Sequence, residues 1–349
     1  MAPAVRWARP VAVLVAAAVL ADCSGGGKKV AVRRTTSTST TLPTTTTQPP
    51  VAPLTGLPQP DPAKLGRPAL TVKIENAPEA RPQAGMDAAD VVFEEEVEGG
   101  LTRFLVVFQS RDAAPIGPIR SVRPVDPDII SAIGGLFAYS GGTAPFVARI
   151  KRAPVRLVGP DQLGKAYSRR SGKSAPHNLF SSTAALYKGA KPDDHTPPPL
   201  FQFLAAGQPF VADGPARHVD VPISGSSRVT WDWDQAASVY RRGENGTPHT
   251  VEGGAQLSFA NVIVQIVPYS NFPGARDPAG NPVPAANVTG SGPAFVYSQG
   301  QVRRATWTKG AATTVTTYTD ATGQQVRLTP GATWVELAPT GTAVASSNP

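Results

Sequence analysis

Prolines and glycines punctuate this chain too densely for long helices. There are 37 prolines and 33 glycines in 349 residues. A proline inside a helix removes a hydrogen bond and clashes with the preceding turn, and glycine weakens the helix by its backbone freedom. Short strands, short helices and many turns are what such a sequence allows. Hydrophobic residues still make up 41% of the chain, enough for a real core. The length fits roughly two domains of about 150 residues.

The amino terminus does not belong to that core. Arg6 and Arg9 precede a wholly apolar run of ten residues, 11–20, which has the proportions of a secretory signal. An ordinary transmembrane helix needs about 20. The run ends in Leu20-Ala21-Asp22-Cys23, similar to a lipoprotein processing site, with Cys23 as the lipidated residue. Asp22 departs from the small residue usual before that cysteine, so a signal cut elsewhere stays open. Cys23 is the one cysteine of the chain, which excludes an intramolecular disulfide and a cysteine-based zinc cluster. Residues 1–23 are thus a signal peptide with a lipidation site, and 24–52 a disordered stalk rich in Ser, Thr and Pro (TTSTSTTLPTTTTQPP) that cannot bury a core. The expected location is outside the cytoplasmic membrane, anchored to its outer face.

The predicted fold is α+β, with an N-terminal mixed α/β domain over 53–210 and a mostly antiparallel β domain over 211–342, a barrel or sandwich. Residues 343–349 are expected to be a disordered tail. In the first domain 69–75 alternates apolar and polar residues as a strand does. Residues 91–97 fit a strand or a helix end, and 101–108 fit a strand that pairs back across Gly99-Gly100. Residues 126–133 read as a helix with Asp126 as N-cap and Pro127 at its first position. Short helices are also expected over 144–152, 182–188 and 200–206. From residue 217 onward short strands alternate with turn signals such as Glu244-Asn245-Gly246 and Pro330-Gly331. Trp231, Trp233, Trp307 and Trp334 lie among them, as core or as an aromatic groove for sugars.

Polar chemistry concentrates in 93–124 (FEEEVEGGLTRFLVVFQSRDAAPIGPIRSVRP). Arg103, Arg120 and Arg123 are the candidate ligand-binding residues, because a guanidinium holds a carboxylate or phosphate through paired hydrogen bonds. The competing reading is that they form internal salt bridges with Glu94, Glu96 and Glu98, since buried charges need partners. Ser140 and Gly141 open a strand–glycine turn–helix passage whose backbone N–H groups could cradle an anion, or which is only a tight turn. His177 and Asn178 sit in a Pro-His-Asn turn, as an acid/base or as structural hydrogen-bonders. Glu94 and Glu96, if both lie on one strand face, stand roughly 6.5–7 Å apart. That falls within the about 5–9.5 Å used by the paired carboxylates of glycosidases, so both are candidate catalytic residues.

Other chemistries are thinner. The four histidines have no metal-ligand spacing, and no Gly-x-Ser-x-Gly elbow is present. No metal and no cofactor is expected. The net charge of +8 suits an anionic partner, yet no basic stripe interleaved with aromatics points to nucleic acid.

Several stretches together carry a family resemblance. They are Pro53-Leu54-Thr55-Gly56, Val72-Lys73-Ile74-Glu75-Asn76, Ala80-Arg81-Pro82-Gln83-Ala84-Gly85, Ala89-Asp90-Val91-Val92-Phe93-Glu94 and Glu98-Gly99-Gly100-Leu101-Thr102-Arg103-Phe104. The most specific is Ile116-Gly117-Pro118-Ile119-Arg120-Ser121-Val122-Arg123-Pro124, followed by Pro176-His177-Asn178-Leu179. Asn261-Val262-Ile263-Val264-Gln265, Thr306-Trp307 and Gly331-Ala332-Thr333-Trp334-Val335-Glu336 resemble the family's carboxy-terminal part. Together they resemble the YerB-like lipoprotein family, known as domain of unknown function 3048, and the resemblance covers nearly everything after the stalk. It implies a two-part extracytoplasmic lipoprotein and no particular activity. Two functions therefore stand side by side. One is a membrane-anchored module that binds an anionic wall polymer, a glycan or an envelope protein. The other is a wall-modifying enzyme that cleaves glycan with Glu94 and Glu96.

Overall fold

The structure is a computed structural model that describes residues 50–277 and 279–348. The expected signal peptide, Cys23 and nearly all of the expected stalk lie outside the described residues. Gln48–Pro349 form one compact unit. Strands (40%) outweigh helices (14%), and no helix among the described residues is long and apolar enough to cross a membrane.

The chain enters through the short helix α1 (Pro62–Gly66) and strand β1 (Leu70–Glu75). Strands β2 (Val91–Glu96) and β3 (Thr102–Phe108) form the expected hairpin, closed by a turn at Glu98–Gly100. Both glycines of that turn have positive φ, 73° and 70°, which a side chain would resist. Helix α2 (Asp126–Ile133), strand β4 (Leu136–Ala138), helix α3 (Ala144–Ile150) and strand β5 (Arg156–Leu157) follow.

One large mixed sheet spans both halves of the chain. Its order runs Thr317–Thr319, Gln301–Lys309, Gly290–Ser298, Asn261–Val267, Thr333–Pro339, β2, β3, β1, β4, β5. Thr333–Pro339 is the joint, lying parallel to Asn261–Val267 on one side and to β2 on the other. Residue 210 therefore marks a change in strand content within a shared sheet. A second sheet holds His218–Pro222, Arg228–Asp234, Val239–Glu244 and their short partners.

Period-2 alternation splits the large sheet's side chains between two cores. Val92, Phe104, Val106 and Trp334 pack against the second sheet through Val219, Trp231 and Tyr240. Val91, Leu105, Val107 and Phe137 pack on the opposite face against Ile129, Ile130 and Ile133 of α2 and Phe146 of α3. With both faces covered, β3 is buried along its whole length, which is why it reads as a continuous apolar run. Trp231, Trp307 and Trp334 are core residues, while Trp233 is only partly buried and lines a surface groove.

Three expectations are corrected. Residues 200–206 are not a helix. Gln202–Phe203 adds a short parallel strand to Arg327–Leu328, because a helix of one or two turns gains little by itself and strand pairing satisfies the backbone. Asp126 is not the N-cap; Val125 is, and Asp126 begins the helix with its carboxylate turned to Arg123 N–H (2.7 Å) and Lys73 Nζ (2.7 Å). The carboxy terminus is not disordered from residue 343. Ala345–Ser347 pairs with His218–Pro222, and backbone pairing of this kind needs no apolar side chain.

Candidate anion-binding cleft

A cleft of about 760 Å³ opens at the end of β1 and β3. Its walls come from the β2–β3 turn, the proline-shaped loop at 116–124, Gly142-Thr143 ahead of α3, and the Pro176-His177 turn. The loop is held as an extra edge on β1. Glu75 N–H donates to the Pro118 carbonyl (3.0 Å) and Arg120 N–H to that of Lys73 (2.9 Å). This places Arg120 beside Glu75 at the end of β1. Arg276 and Asp277, from a separate hairpin, form the outer rim.

Arg103, Arg120, Arg123 and His177 all line this cleft. Two of the arginines are already paired. Arg120 Nε donates to Glu75 Oε1 (2.8 Å), and Arg123 donates to Glu98 Oε2 from Nε (2.9 Å) and Nη2 (2.8 Å). His177 Nδ1 lies 2.9 Å from the other oxygen of Glu75. A carboxylate there holds the hydrogen on Nδ1, which leaves Nε2 as the acceptor in the neutral ring.

Arg103 differs. It stands on β3 between Glu75 of β1 and Glu95 of β2 in register, and it is only 8% exposed. Its guanidinium makes one hydrogen bond, from Nη1 to the Ser121 carbonyl at 3.3 Å, and no ion pair among the described residues. Burial, with Arg123 and Arg120 nearby, pulls its pKa down to about 9 against the opposing pull of Glu98 and Glu75. A buried cation without a carboxylate partner is costly. This one sits where an external anion could supply the missing charge.

The remaining predicted residues fall outside the cleft's lining. Ser140 and Gly141 supply carbonyls that hold the loop, accepting from Ser121 Oγ (3.1 Å) and Val122 N–H (3.1 Å). Their neighbours Gly142 and Thr143 are the ones that face the cleft. Asn178 braces its own turn, donating to the Lys173 carbonyl (3.1 Å) and accepting from Arg169 (2.6 Å).

Glu94 and Glu96 do not form a catalytic pair facing the cleft. Glu94 has no exposure and points to the opposite face of the sheet from Arg103. Arg242 Nη2 donates to both its oxygens (2.9 and 2.8 Å), joined by Thr102 Oγ1 (2.6 Å) and Trp334 Nε1 (3.2 Å). No substrate can reach such a carboxylate. Glu96 is half-buried at the strand end, where burial raises its pKa.

Two groups were missed from sequence. Glu75 anchors both Arg120 and His177; it closes a strand and precedes Asn76, with no local sign of its two partners. Glu95 is paired with Lys73, which is paired in turn with Asp126 at 2.7 Å, all behind the cleft floor. Burial pushes Glu95 up to about 8 despite the lysine. Among the described residues no group of three or more His, Cys, Asp or Glu could hold a metal ion.

Comparison with known proteins places these residues in context. Residues 54–196 match the model "Protein of unknown function (DUF3048) N-terminal domain", and 219–335 match its C-terminal domain. A curated relative from Bacillus subtilis (strain 168), named "Putative lipoprotein YerB", is 28% identical over 298 residues, covering 82% of this chain and 86% of the relative. The crystal structure of YerB protein from Bacillus subtilis superposes with a TM-score of 0.73 at 22% identity, over 85% of this chain and all of that one. The shared fold is thus secure, while a ligand is named by none of these matches.

Proposed function

Because the chain belongs to the DUF3048 family, whose two domain models together span most of its folded part, we propose that it is an envelope lipoprotein that binds an anionic ligand in the Arg103 cleft. The observation that carries this reading is the isolation of Arg103, buried and without a carboxylate partner beside two arginines that have one. The apolar leader and Cys23 support an anchor on the outer face of the membrane, as does the name of the Bacillus relative. In that position the ligand is an anionic wall polymer, an acidic glycan or an acidic group on an envelope protein. The overall charge of +8 favours their approach.

The test is sedimentation of the folded unit, Gln48–Pro349, with purified wall sacculi. Binding that is lost with Arg103→Gln, and kept by a surface variant such as Arg228→Gln, supports the reading. Binding indifferent to Arg103 removes the cleft from it.

A further inference from the structure

Resting on the reading of the cleft as an anion site, we infer that it takes a singly charged oxyanion offering two oxygens, a phosphodiester or a carboxylate, and discriminates against a phosphate dianion. The charge on the floor sets this preference. Arg120 is matched by Glu75 and Arg123 by Glu98, so on the cleft floor Arg103 is the arginine without a paired carboxylate among the described residues. At the rim Glu79 and Asp277 outnumber Arg276, and a second negative charge on the ligand would meet them.

The shape of the unused donors points the same way. Arg103 spends Nη1 on Ser121. Its Nε and Nη2 make no hydrogen bond among the described residues. Nε–H and Nη2–H are parallel donors on one edge of the guanidinium, the fork that grips two oxygens of one acid group. His177 also lines the cleft, and with its Nδ1 hydrogen on Glu75 the neutral ring offers only an acceptor at Nε2. That acceptor suits a hydroxyl beside the acid and repels a second anionic oxygen. Low pKa at Arg103 agrees with this, because one bound negative charge restores the balance that burial upsets.

The experiment is a titration of the folded unit, labelled with nitrogen-15 arginine, followed through the Arg Nε–H resonances at low ionic strength. The probes are dimethyl phosphate, acetate and inorganic phosphate at pH 8, where phosphate is mainly a dianion. Arg103 is assigned by its absence in Arg103→Lys, which keeps a charge but lacks the fork, and in Arg103→Gln as a second variant. The expected result is saturable shifting of the Arg103 resonance by dimethyl phosphate or acetate, at least about tenfold tighter than by phosphate, and no saturable shifting of the neighbouring Arg120 and Arg123 resonances in either variant. Tighter dimethyl phosphate identifies a phosphodiester source; tighter acetate identifies a carboxylate source. Phosphate binding as tightly as the monoanions would overturn the single-charge inference and leave the anion-site reading standing. No response at Arg103 to any of the three probes would overturn both.

Discussion

Arg242, on the smaller sheet, donates from one nitrogen to both carboxylate oxygens of Glu94, on the larger sheet, and neither residue has any exposure. Arg242 also donates to Glu244 Oε2 (2.7 Å) and to His249, and its guanidinium lies 4.9 Å from the Trp334 ring centre. This is a charged network between two sheets, completed by Trp231 Nε1 donating to Glu336 (3.0 Å). Removing one partner of a buried pair leaves an uncompensated charge, at a typical cost of roughly 3–5 kcal/mol. Arg242→Met is expected to lose that much in urea unfolding, since it strands Glu94, while Glu244 keeps Arg81. Glu94→Gln is expected to lose stability as well while leaving sacculus binding by the folded fraction intact. A binding loss without a stability loss would return Glu94 to the functional site.

How far the sequence carried follows from the same strand. Alternation correctly separates Glu94 from Glu95 by face, but it does not say which face meets solvent. The neighbour that seals Glu94 arrives with Thr333–Pro339, whose Trp334 is 240 positions away, and with Arg242 from another sheet. Parallel pairing over such a distance has no turn to announce it. The antiparallel strands after residue 217 were legible because turn residues and β-branched alternation mark them locally. The three arginines and His177 were legible as chemistry, and the structure does gather them in one cleft. Of their partners, Glu98 was among the glutamates named from sequence and does take Arg123, while Glu75 was not named. Arg120 chose Glu75, 45 residues upstream, over the nearby glutamates, because the loop at 116–124 docks on β1.

Glu95 makes stability depend on pH. Its folded pKa is raised from 4.5 to about 8 by burial, so between those values the folded chain holds a proton that the unfolded chain has released. The contribution is fully present below about 4.5 and is lost as pH rises toward 8. Glu95→Gln, which cannot ionise, is expected to flatten that part of the profile. Unfolding in urea at pH 5, 6, 7 and 8 measures it, and parallel profiles for the two proteins would refute the assignment.

His249 acts with the opposite sign. Burial, and the nearby Arg242 and Arg81, hold its pKa well below 6.5. Its Nε2 lies 2.9 Å from Gln83 Oε1 while Arg242 donates to Nδ1, so the folded ring is neutral with its hydrogen on Nε2. Below pH 6.5 the unfolded chain binds a proton that the folded chain refuses, and stability falls as the solution is acidified. His249→Gln is expected to lose stability at pH 7 and to reduce this acid slope. Proton NMR of the ring should find no titration between pH 5 and 8.

Gly117 ties the cleft's shape to the backbone. Its φ is 145°, and a Cβ there would lie 2.8 Å from Phe180 Cδ1 and 2.9 Å from the Leu179 carbonyl. The loop it belongs to carries Arg120 and Arg123. Gly117→Ala is expected to cost roughly 1–3 kcal/mol, read by thermal unfolding, and to weaken sacculus binding in the protein that remains folded. Unchanged binding would mean that the loop's position is not part of the site.

Glu75 offers the sharpest control on the cleft's charge. It neutralises Arg120 and orients His177 at once. Glu75→Gln removes one negative charge from the floor and keeps a side chain able to accept from Arg120. Arg120 then joins Arg103 as a cation without a carboxylate, and the floor gains one unit of positive charge. The variant should lose its preference for single charge, with inorganic phosphate at pH 8 approaching or passing dimethyl phosphate in affinity. The gain should shrink as salt is added, because Arg120 is partly exposed to solvent and such charges are screened. An unchanged order of affinities would mean that ligand charge is set somewhere other than the balance of Arg103, Arg120 and Glu75.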